Sequence, residues 1–334
     1  MRFLIVGLGS AGQRHARAIR SLFPNAIIDV FVGKRKIGLI SNDLKQIDYS
    51  VSPIRFYHMN EIDSFHQLEE KYDLTIIATP ISSHYEYFEK TRAKSKRIII
   101  EKPIGDRLSD AEKIRDAVIK ENLPLLIGYQ HNFNPLVHLI LAESSKRCIP
   151  NSLNLTFHEY LRDMNTFRDM SNHHLAQPNG GGVLLALSHE IDIAMQISKL
   201  QFSDLTAEFK KSEEFPNVFD QVLISNRPTT SSHRKPKVSI SLSFAAGKKS
   251  RIGRIEWDKE SLSWDFVSSK ATLEAEGRIT ELIKPNLSSD ELIIMQLLFV
   301  LNKSSFDNDL RKRLDRALDI LRIDDAAKIA VSRA

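Results

Sequence analysis

Six residues near the start of the chain restrict its fold more than any others. Gly7-Leu8-Gly9-Ser10-Ala11-Gly12 is entered from the apolar run Phe3-Leu4-Ile5-Val6 and left through Gln13-Arg14-His15-Ala16, a helix-forming stretch. The order reads as strand, tight turn, helix. The three glycines play different physical roles. Gly7 permits the turn, Gly9 lets the backbone approach a pyrophosphate with no Cβ in the way, and Gly12 lets helix and strand pack closely. Phosphates then meet the free N–H groups and the positive dipole end of the helix, flanked by Ser10 and Ala11. A G-x-G-x-x-G in this context predicts a dinucleotide site and a sheet wound with helices on both faces.

The alternation that follows agrees. A helix is expected from about Ser10 to Leu22 and a second strand from Ala26 to Val32, ending at Gly33-Lys34-Arg35-Lys36. An acidic residue about 20 positions beyond the glycines binds the ribose 2′-hydroxyl in dinucleotide folds, whereas Arg or Lys there accommodates a 2′-phosphate. Asp29 fits the count but falls inside the strand, while Lys34 and Arg35 sit at its end, which favours NADP within an NAD(P) reading. Ile54 to His58 reads as a short strand and Glu61 to Lys71 as a helix. Leu74 to Thr79 is a near-continuous apolar run, expected of a strand buried on both faces. Thr79, Pro80 and the following His84 are candidates for lining the cleft outside the strand ends, with His84 equally readable as a satisfied helix-start histidine. Arg97 to Ile100 is the next strand and delivers Glu101-Lys102-Pro103 at its carboxyl end, where proline stiffens the backbone behind Lys102. Ser109 and Glu112 form a capping-box pattern, and Leu123 to Ile127 is a further strand. Residues 1–128 thus predict an α/β Rossmann domain, a doubly wound parallel sheet.

From Tyr129 the texture changes, and residues 129–334 predict an α+β domain with a large, mostly antiparallel sheet. Asn132-Phe133-Asn134-Pro135 opens a helix, and Ser152 to Tyr160 alternates like a half-buried strand. A polar stretch with Arg162, Asp163, Arg168, His173 and His174 leads to Gly180-Gly181-Gly182 and Ser188-His189-Glu190-Ile191-Asp192. Adjacent His173 and His174 cannot readily ligate one ion from the same side, so no metal is expected. Strand-like runs recur near 202–210, 219–225, 236–245, 251–257, 261–267 and 270–276 without intervening helices. Two helices close the sequence, near 289–302 behind a Ser288/Glu291 capping box and near 307–330 with Leu310, Leu314, Leu318 and Leu321 as an apolar stripe.

Composition narrows the function classes. The 334 residues suffice for two cores at about 150 residues per domain. The net charge of +5 comes from 47 basic and 42 acidic residues spread along the chain, so Lys34-Arg35-Lys36 and Arg311-Lys312-Arg313 read as solvated faces and no nucleic-acid partner is expected. A single cysteine, Cys148, excludes an intrachain disulfide and fits a reducing compartment. Only four apolar residues separate Met1-Arg2 from Gly7, too few for a signal peptide, and no apolar run reaches membrane-spanning length. A cytoplasmic protein without a membrane partner is the expectation.

Taken in order, the glycine turn, Ala78-Thr79-Pro80, Glu101-Lys102-Pro103, Ile127-Gly128-Tyr129 running into Asn132-Phe133-Asn134-Pro135, and the glycine stretch leading to His189-x-x-Asp192 resemble the glucose-fructose oxidoreductase and inositol dehydrogenase family, Gfo/Idh/MocA. The likeness covers most of the first 195 residues. It implies an NAD(P)-dependent enzyme that moves a hydride between nicotinamide and a secondary alcohol or ketone of a sugar-like substrate. It also implies Lys102 as the hydrogen-bond donor to the reacting oxygen and His189 as the acid-base partner. The glycine-to-histidine wording looks most like members associated with polysaccharide or nonulosonate sugar biosynthesis, which suggests a nucleotide-linked or acidic sugar held by Arg162, Arg168 and His173. The resemblance also makes residues 129–334 the substrate-binding and oligomerisation domain, whose open sheet face resembles the family's oligomer interface and implies a homodimer or homotetramer. Such chemistry suits these groups: a base near neutral pKa removes a hydroxyl proton, and an ammonium stabilises an alkoxide-like oxygen. One departure stands out. The family commonly carries an aspartate three or four positions before the histidine, where this chain has Ala186 and Leu185, neither able to orient a base. A dinucleotide-binding regulator with weak or absent catalysis is therefore the rival reading. A methyltransferase would leave Lys102 without a role.

Overall fold

The computed structural model describes residues 1–33, 37–43, 45–68, 71–164, 175, 182–211, 218–227, 235–245 and 247–332. The chain divides into two compact units, each built on one sheet.

In the first unit, β1 (Arg2–Val6) runs through the glycine turn into α1 (Ser10–Leu22) and then β2 (Ile27–Phe31). A small hairpin of β3 (Leu39–Ile40) and β4 (Ile47–Asp48) follows, then α2 (Pro53–Phe56), β5 (Asn60–Glu61), β6 (Leu74–Ile77), α3 (His84–Thr91), β7 (Ile98–Ile100), α4 (Leu108–Glu121) and β8 (Leu125–Ile127). The strands pair in the order β5-β2-β1-β6-β7-β8, every pairing parallel. β6, β7 and β8 are buried residue for residue, which explains their unbroken apolar sequences. The order reverses beside β1, so β1 and β6 flank the point where the carboxyl ends open into a crevice.

Three local expectations need correction. The stretch read as a strand at 54–58 is helical because Ser52 accepts a hydrogen bond from the Arg55 amide and Pro53 occupies the first helical position. Of the helix expected at 61–71, the described residues hold the end of β5 and a 3₁₀ turn, Phe65–Gln67. The capping box at Ser109 is absent: α4 starts at Leu108, two residues before a Ser109 cap would set it, with Arg107 as a cap that makes no side-chain bond, and Asp110 supplies the favourable charge in the first turn.

The second unit begins at His131. Asn134 caps α5 (Pro135–Ser145) by accepting from the Leu136 amide at 2.8 Å. Then come β9 (Ser152–His158), the short helices α6 (Leu161–Met164) and α7 (Gly182–Ala186), and α8 (His189–Ser198). Seven further strands follow: β10 (Leu205–Lys210), β11 (Gln221–Asn226), β12 (Lys237–Ser243), β13 (Ser250–Glu256), β14 (Glu260–Asp265), β15 (Lys270–Ala275) and β16 (Arg278–Ile283). They form one sheet with β9 in the order β10-β11-β12-β9-β13-β14-β15-β16. Only β9 and β12 pair in parallel, and the other pairings are antiparallel. Burial alternates along β9 and β13, so one face carries the core. The sequence pattern does not predict β16, because most of it is exposed and its alternation is weak; Glu276 and Gly277 at φ 52° and 71° make the two-residue hairpin that creates it.

The chain closes with α9 (Ser289–Leu301) and α10 (Asn308–Ser332). The Ser288/Glu291 capping box is present, and Leu310, Leu314, Leu318 and Leu321 are buried as their spacing predicts. A single boundary at residue 128 misses this return of the chain, since Ser288–Leu318 belongs to the first unit. There Arg17 of α1 binds Asp290 at 2.9 and 3.2 Å, and the Phe306 amide donates to the Asn122 side chain. No helix among the described residues is long and apolar enough to cross a membrane.

Candidate active site

Within the first unit the glycine turn has the geometry its sequence predicts, and the three glycines are needed for different reasons. Gly7 adopts φ +93°, and a Cβ there would sit 2.6 Å from the Ala78 carbonyl oxygen. At Gly12 a Cβ would lie 2.1 Å from the Gly7 carbonyl oxygen. At Gly9, the residue preceding α1, nothing lies within 4 Å of the Cβ position. The first turn of α1 contains no acidic residue. Open space at an uncompensated helix N-terminus suits a pyrophosphate, so the residues present fit a dinucleotide.

Gln13 supports this turn in a way the sequence reading missed. It is buried, its amide donates to the Leu8 and Gly38 carbonyls at 3.2 and 2.8 Å, and its oxygen accepts from the Ile40 amide at 2.9 Å. A glutamine in the first turn of a helix carries no signal by itself. Asp29, which matches the ribose position by count, is instead committed inside β2: it accepts from Arg2, Tyr72 and Asn60 at 2.9, 2.8 and 3.0 Å. Lys34 and Arg35 lie outside the described residues.

The ends of β6 and β7 bring the remaining first-unit candidates onto one edge of the sheet. Thr79 is half-buried and accepts from the Ser83 hydroxyl at 3.0 Å, and Pro80 is exposed beside it. His84 is buried, with its ring nitrogens 2.9 Å from the Thr79 carbonyl oxygen and 3.0 Å from that of Pro103. Burial holds its pKa below the ordinary histidine value despite these backbone contacts. A buried neutral imidazole donates to one of the two carbonyls, so His84 spans the strand ends that carry Thr79 and Lys102. Glu101 turns towards α1, where His15 lies 2.7 Å away. Burial works to raise the Glu101 carboxyl, and the His15 hydrogen bond with the Arg14 and Lys102 charges overcomes it, leaving the group below its ordinary value. Lys102 follows, half-buried, before a cis bond to Pro103.

Within the second unit His189 is the first residue of α8 and is 7% exposed. The imidazole of His131, from the 3₁₀ turn Gln130–Phe133, meets it edge-on at 4.6 Å between ring centres. Asp192 is buried and accepts from Gln196 one turn later at 3.0 Å, and Gln196 donates onward to Asn132 at 2.7 Å. The aspartate of the H-x-x-D pattern thus ties α8 to the turn that carries His131. Leu185 and Ala186 lie in α7, and Ser188, whose hydroxyl donates to the Leu185 carbonyl at 2.9 Å, separates that helix from α8. Arg162 is exposed on α6. Arg168 and His173 lie outside the described residues. No group of three His, Cys, Asp or Glu among the described residues is placed to hold a metal ion.

Comparison with known proteins agrees with this geometry. Residues 1–129 match the family GFO_IDH_MocA, described as "Oxidoreductase family, NAD-binding Rossmann fold". The rhizopine catabolism protein MocA of Rhizobium meliloti is 28% identical over 136 residues, 40% of this chain and 39% of that protein. The aligned region therefore spans well under two thirds of that relative's length. Among solved structures, UDP-N-acetylglucosamine 3-dehydrogenase GnnA from Acidithiobacillus ferrooxidans superposes with a TM-score of 0.76 at 15% identity, over 99% of this chain and 97% of that one. Levoglucosan dehydrogenase in complex with NADH and levoglucosan gives 0.77 at 14% identity, over 100% and 97%. These two likenesses extend the shared fold to the second unit. With residues 1–129 matching that family model and the glycine turn shaped for a dinucleotide, this part of the chain is an NAD-binding Rossmann domain similar to those of the Gfo/Idh/MocA oxidoreductases.

Proposed function

We propose that this chain is a dehydrogenase or reductase that interconverts a secondary alcohol and a ketone on a sugar-like substrate, using NADP in preference to NAD. The observation that carries the reading is the edge of the parallel sheet on which the glycine turn, Thr79 and Lys102 stand at the carboxyl ends of adjacent strands β1, β6 and β7. When bound, the nicotinamide supplies or accepts the hydride. In this reading Lys102 donates a hydrogen bond to the reacting oxygen and stabilises negative charge as it develops there. His189 accepts the hydroxyl proton in oxidation and returns it in reduction. Lys34 and Arg35 meet the 2′-phosphate, and Arg162, Arg168 and His173 bind anionic or hydroxyl groups of the substrate. A nucleotide-linked or acidic sugar, a homodimer or homotetramer and a cytoplasmic setting complete the proposal. The two solved structures with this fold act, by their descriptions, on a nucleotide sugar and on levoglucosan, which supports the substrate class.

Leu185 and Ala186 favour a second reading, a dinucleotide-binding regulator, because no carboxylate stands at those positions. Titration with NADPH and NADH, followed by absorbance at the nicotinamide band with UDP-N-acetylglucosamine, levoglucosan and inositols, separates the two. Turnover that falls at least a hundredfold in Lys102→Ala supports the enzyme. Binding without turnover across the panel supports the regulator, and unchanged turnover in Lys102→Ala removes the lysine assignment.

A further inference from the structure

Beside His189 the second unit buries a full ion pair that the proposed chemistry does not use. The Arg251 guanidinium of β13 lies 2.5 Å from Glu190, with side-chain exposures of 7% and 1%. The same guanidinium presents Nη1 to His131, 2.7 Å from Nε2 and 3.3 Å from Nδ1. It is sandwiched between Phe157 and Phe266, whose ring centres lie 4.5 and 5.0 Å from its central carbon. We propose that Arg251 is a positioning residue for His189, acting through Glu190 on one side and His131 on the other.

Two links carry the effect. Glu190 directly follows His189 in α8, so anchoring its carboxylate fixes the rotation of the helical turn from which His189 projects. His131 supplies the ring against which the His189 imidazole rests edge-on, at an interplanar angle of 75°. A guanidinium has only protons to offer, so the ring nitrogen nearest to it must present its lone pair. That places the His131 proton on Nδ1 and selects one neutral tautomer. The cation of Arg251 opposes a second positive charge on His131, and the Phe157 and Phe266 rings keep water from loosening the arrangement. Stability alone does not account for it: a buried ion pair is commonly matched or bettered by apolar residues of similar volume. Its value lies in fixing geometry, and Arg251 does so with a fork that reaches Glu190 through Nε and His131 through Nη1.

The inference rests on His189 as the acid-base group, and its test includes a readout independent of turnover. The full chain is labelled with ¹⁵N in the histidine rings, and His131 and His189 are assigned with His131→Asn and His189→Asn. In the unsubstituted protein His131 is expected as a single Nδ1-protonated tautomer at neutral pH. Removing one partner leaves a buried charge uncompensated and risks unfolding, so the key variant is the double substitution Arg251→Met with Glu190→Gln. It should fold, bind NADH unchanged, lose the single His131 tautomer and shift the His189 ring signals. On a panel sugar that is turned over, kcat should fall on the order of a hundredfold, the cost of displacing a catalytic group by about 1 Å, with the KM for cofactor unchanged. Arg251→Lys keeps the charge without the fork and should disturb the same His131 and His189 signals. Unaltered His131 and His189 signals in the double variant overturn the proposal, as does an unaltered kcat. If the unsubstituted protein turns over nothing, the dehydrogenase reading fails separately, and the ring signals alone decide whether Arg251 positions His189.

Discussion

Alanine at Gly9 and at Gly12 should produce opposite combinations of stability and binding. At Gly12 the new methyl would lie 2.1 Å from the Gly7 carbonyl oxygen and 3.0 Å from its carbon. Neither atom can retreat, because the Gly7 amide donates to the Phe31 carbonyl at 2.8 Å and a shift towards β6 meets the Ala78 backbone. Overpacking of this kind costs about 1–3 kcal/mol, which in a unit of this size lowers Tm by roughly 2–12 °C. At Gly9 φ is −74°, a value any residue adopts, and the methyl meets no protein atom within 4 Å. Alanine is a poorer helix cap than glycine but loses less chain entropy on folding, so the net change should stay within about 0.5 kcal/mol. The methyl would enter the open space that suits a pyrophosphate, and NADH affinity should fall at least about tenfold, or ~1.4 kcal/mol. The assay is thermal unfolding by circular dichroism with and without NADH, supported by NADH fluorescence titration. Saturating NADH at about 100 times its Kd should stabilise the unsubstituted protein by ~2.7 kcal/mol, and at the same NADH concentration this gain should fall to ~1.4 kcal/mol or less in Gly9→Ala. A Gly12→Ala protein that melts with the unsubstituted one, or a Gly9→Ala protein that NADH stabilises normally, would refute the reasoning.

Other substitutions separate scaffold from site. Asp29→Ala should cost about 1–3 kcal/mol by removing the acceptor of the buried Tyr72 hydroxyl, while leaving the preference between NADH and NADPH as it was; a changed preference at unchanged Tm would return Asp29 to the ribose. Burial pushes the Asp324 carboxyl in α10 up to about 6 despite Lys328 beside it. Its folded pKa lies about 2 units above the ordinary value, so the native form holds this proton more tightly and stability declines as pH rises from about 4 to 6, by ~3 kcal/mol. Asp324→Asn removes that decline and should raise Tm more at pH 7 than at pH 4, whereas equal shifts at both would contradict it. Glu101 has the opposite sign: its carboxyl is held below its ordinary value, so the stability it contributes is present at neutral pH and is lost on acidification. His15→Ala should therefore lower Tm more at neutral pH than below about pH 4, as thermal scans at the two pH values would show.

The parallel half of the fold was legible because its signals are local. β6, β7 and β8 are buried on both faces and so are almost wholly apolar, and Gly7 and Gly12 record steric needs that no other residue meets. Legibility failed where structure depends on distant partners. Gln13 closes the turn only because residues 38–40 come to it, and Asp29 is a core residue only because Arg2, Tyr72 and Asn60 converge there. The weak strand β16 exists because a hairpin turn returns it to β15, and Ser288–Leu318 joins the first unit through contacts such as Arg17 with Asp290. Lys102 and His189 could be named from motifs, but Arg251 could not: it stands 62 positions after His189, in a strand whose sequence resembles any exposed alternating strand.

This distance bears on the missing aspartate. An acidic residue at position 185 or 186 would sit in α7, a helix separated from His189 by Leu187 and Ser188. Here Leu185 is buried in the apolar core, so position 185 itself offers no carboxylate. The acidic groups that do fix the start of α8 are on the helix itself: Glu190 through Arg251, and Asp192 through Gln196 and Asn132. Both routes end in the turn Gln130–Phe133, one at His131 and the other at Asn132. Two ties between the same helix start and the same turn restrain the His189 ring, one through Glu190 and Arg251 and the other through Asp192 and Gln196. Under the proposed dehydrogenase reading, these ties take the place of an orienting aspartate. A combined substitution of Gln196→Leu with the Arg251→Met/Glu190→Gln pair should loosen the His189 ring signals further than either alone, because each tie holds the turn when the other is cut.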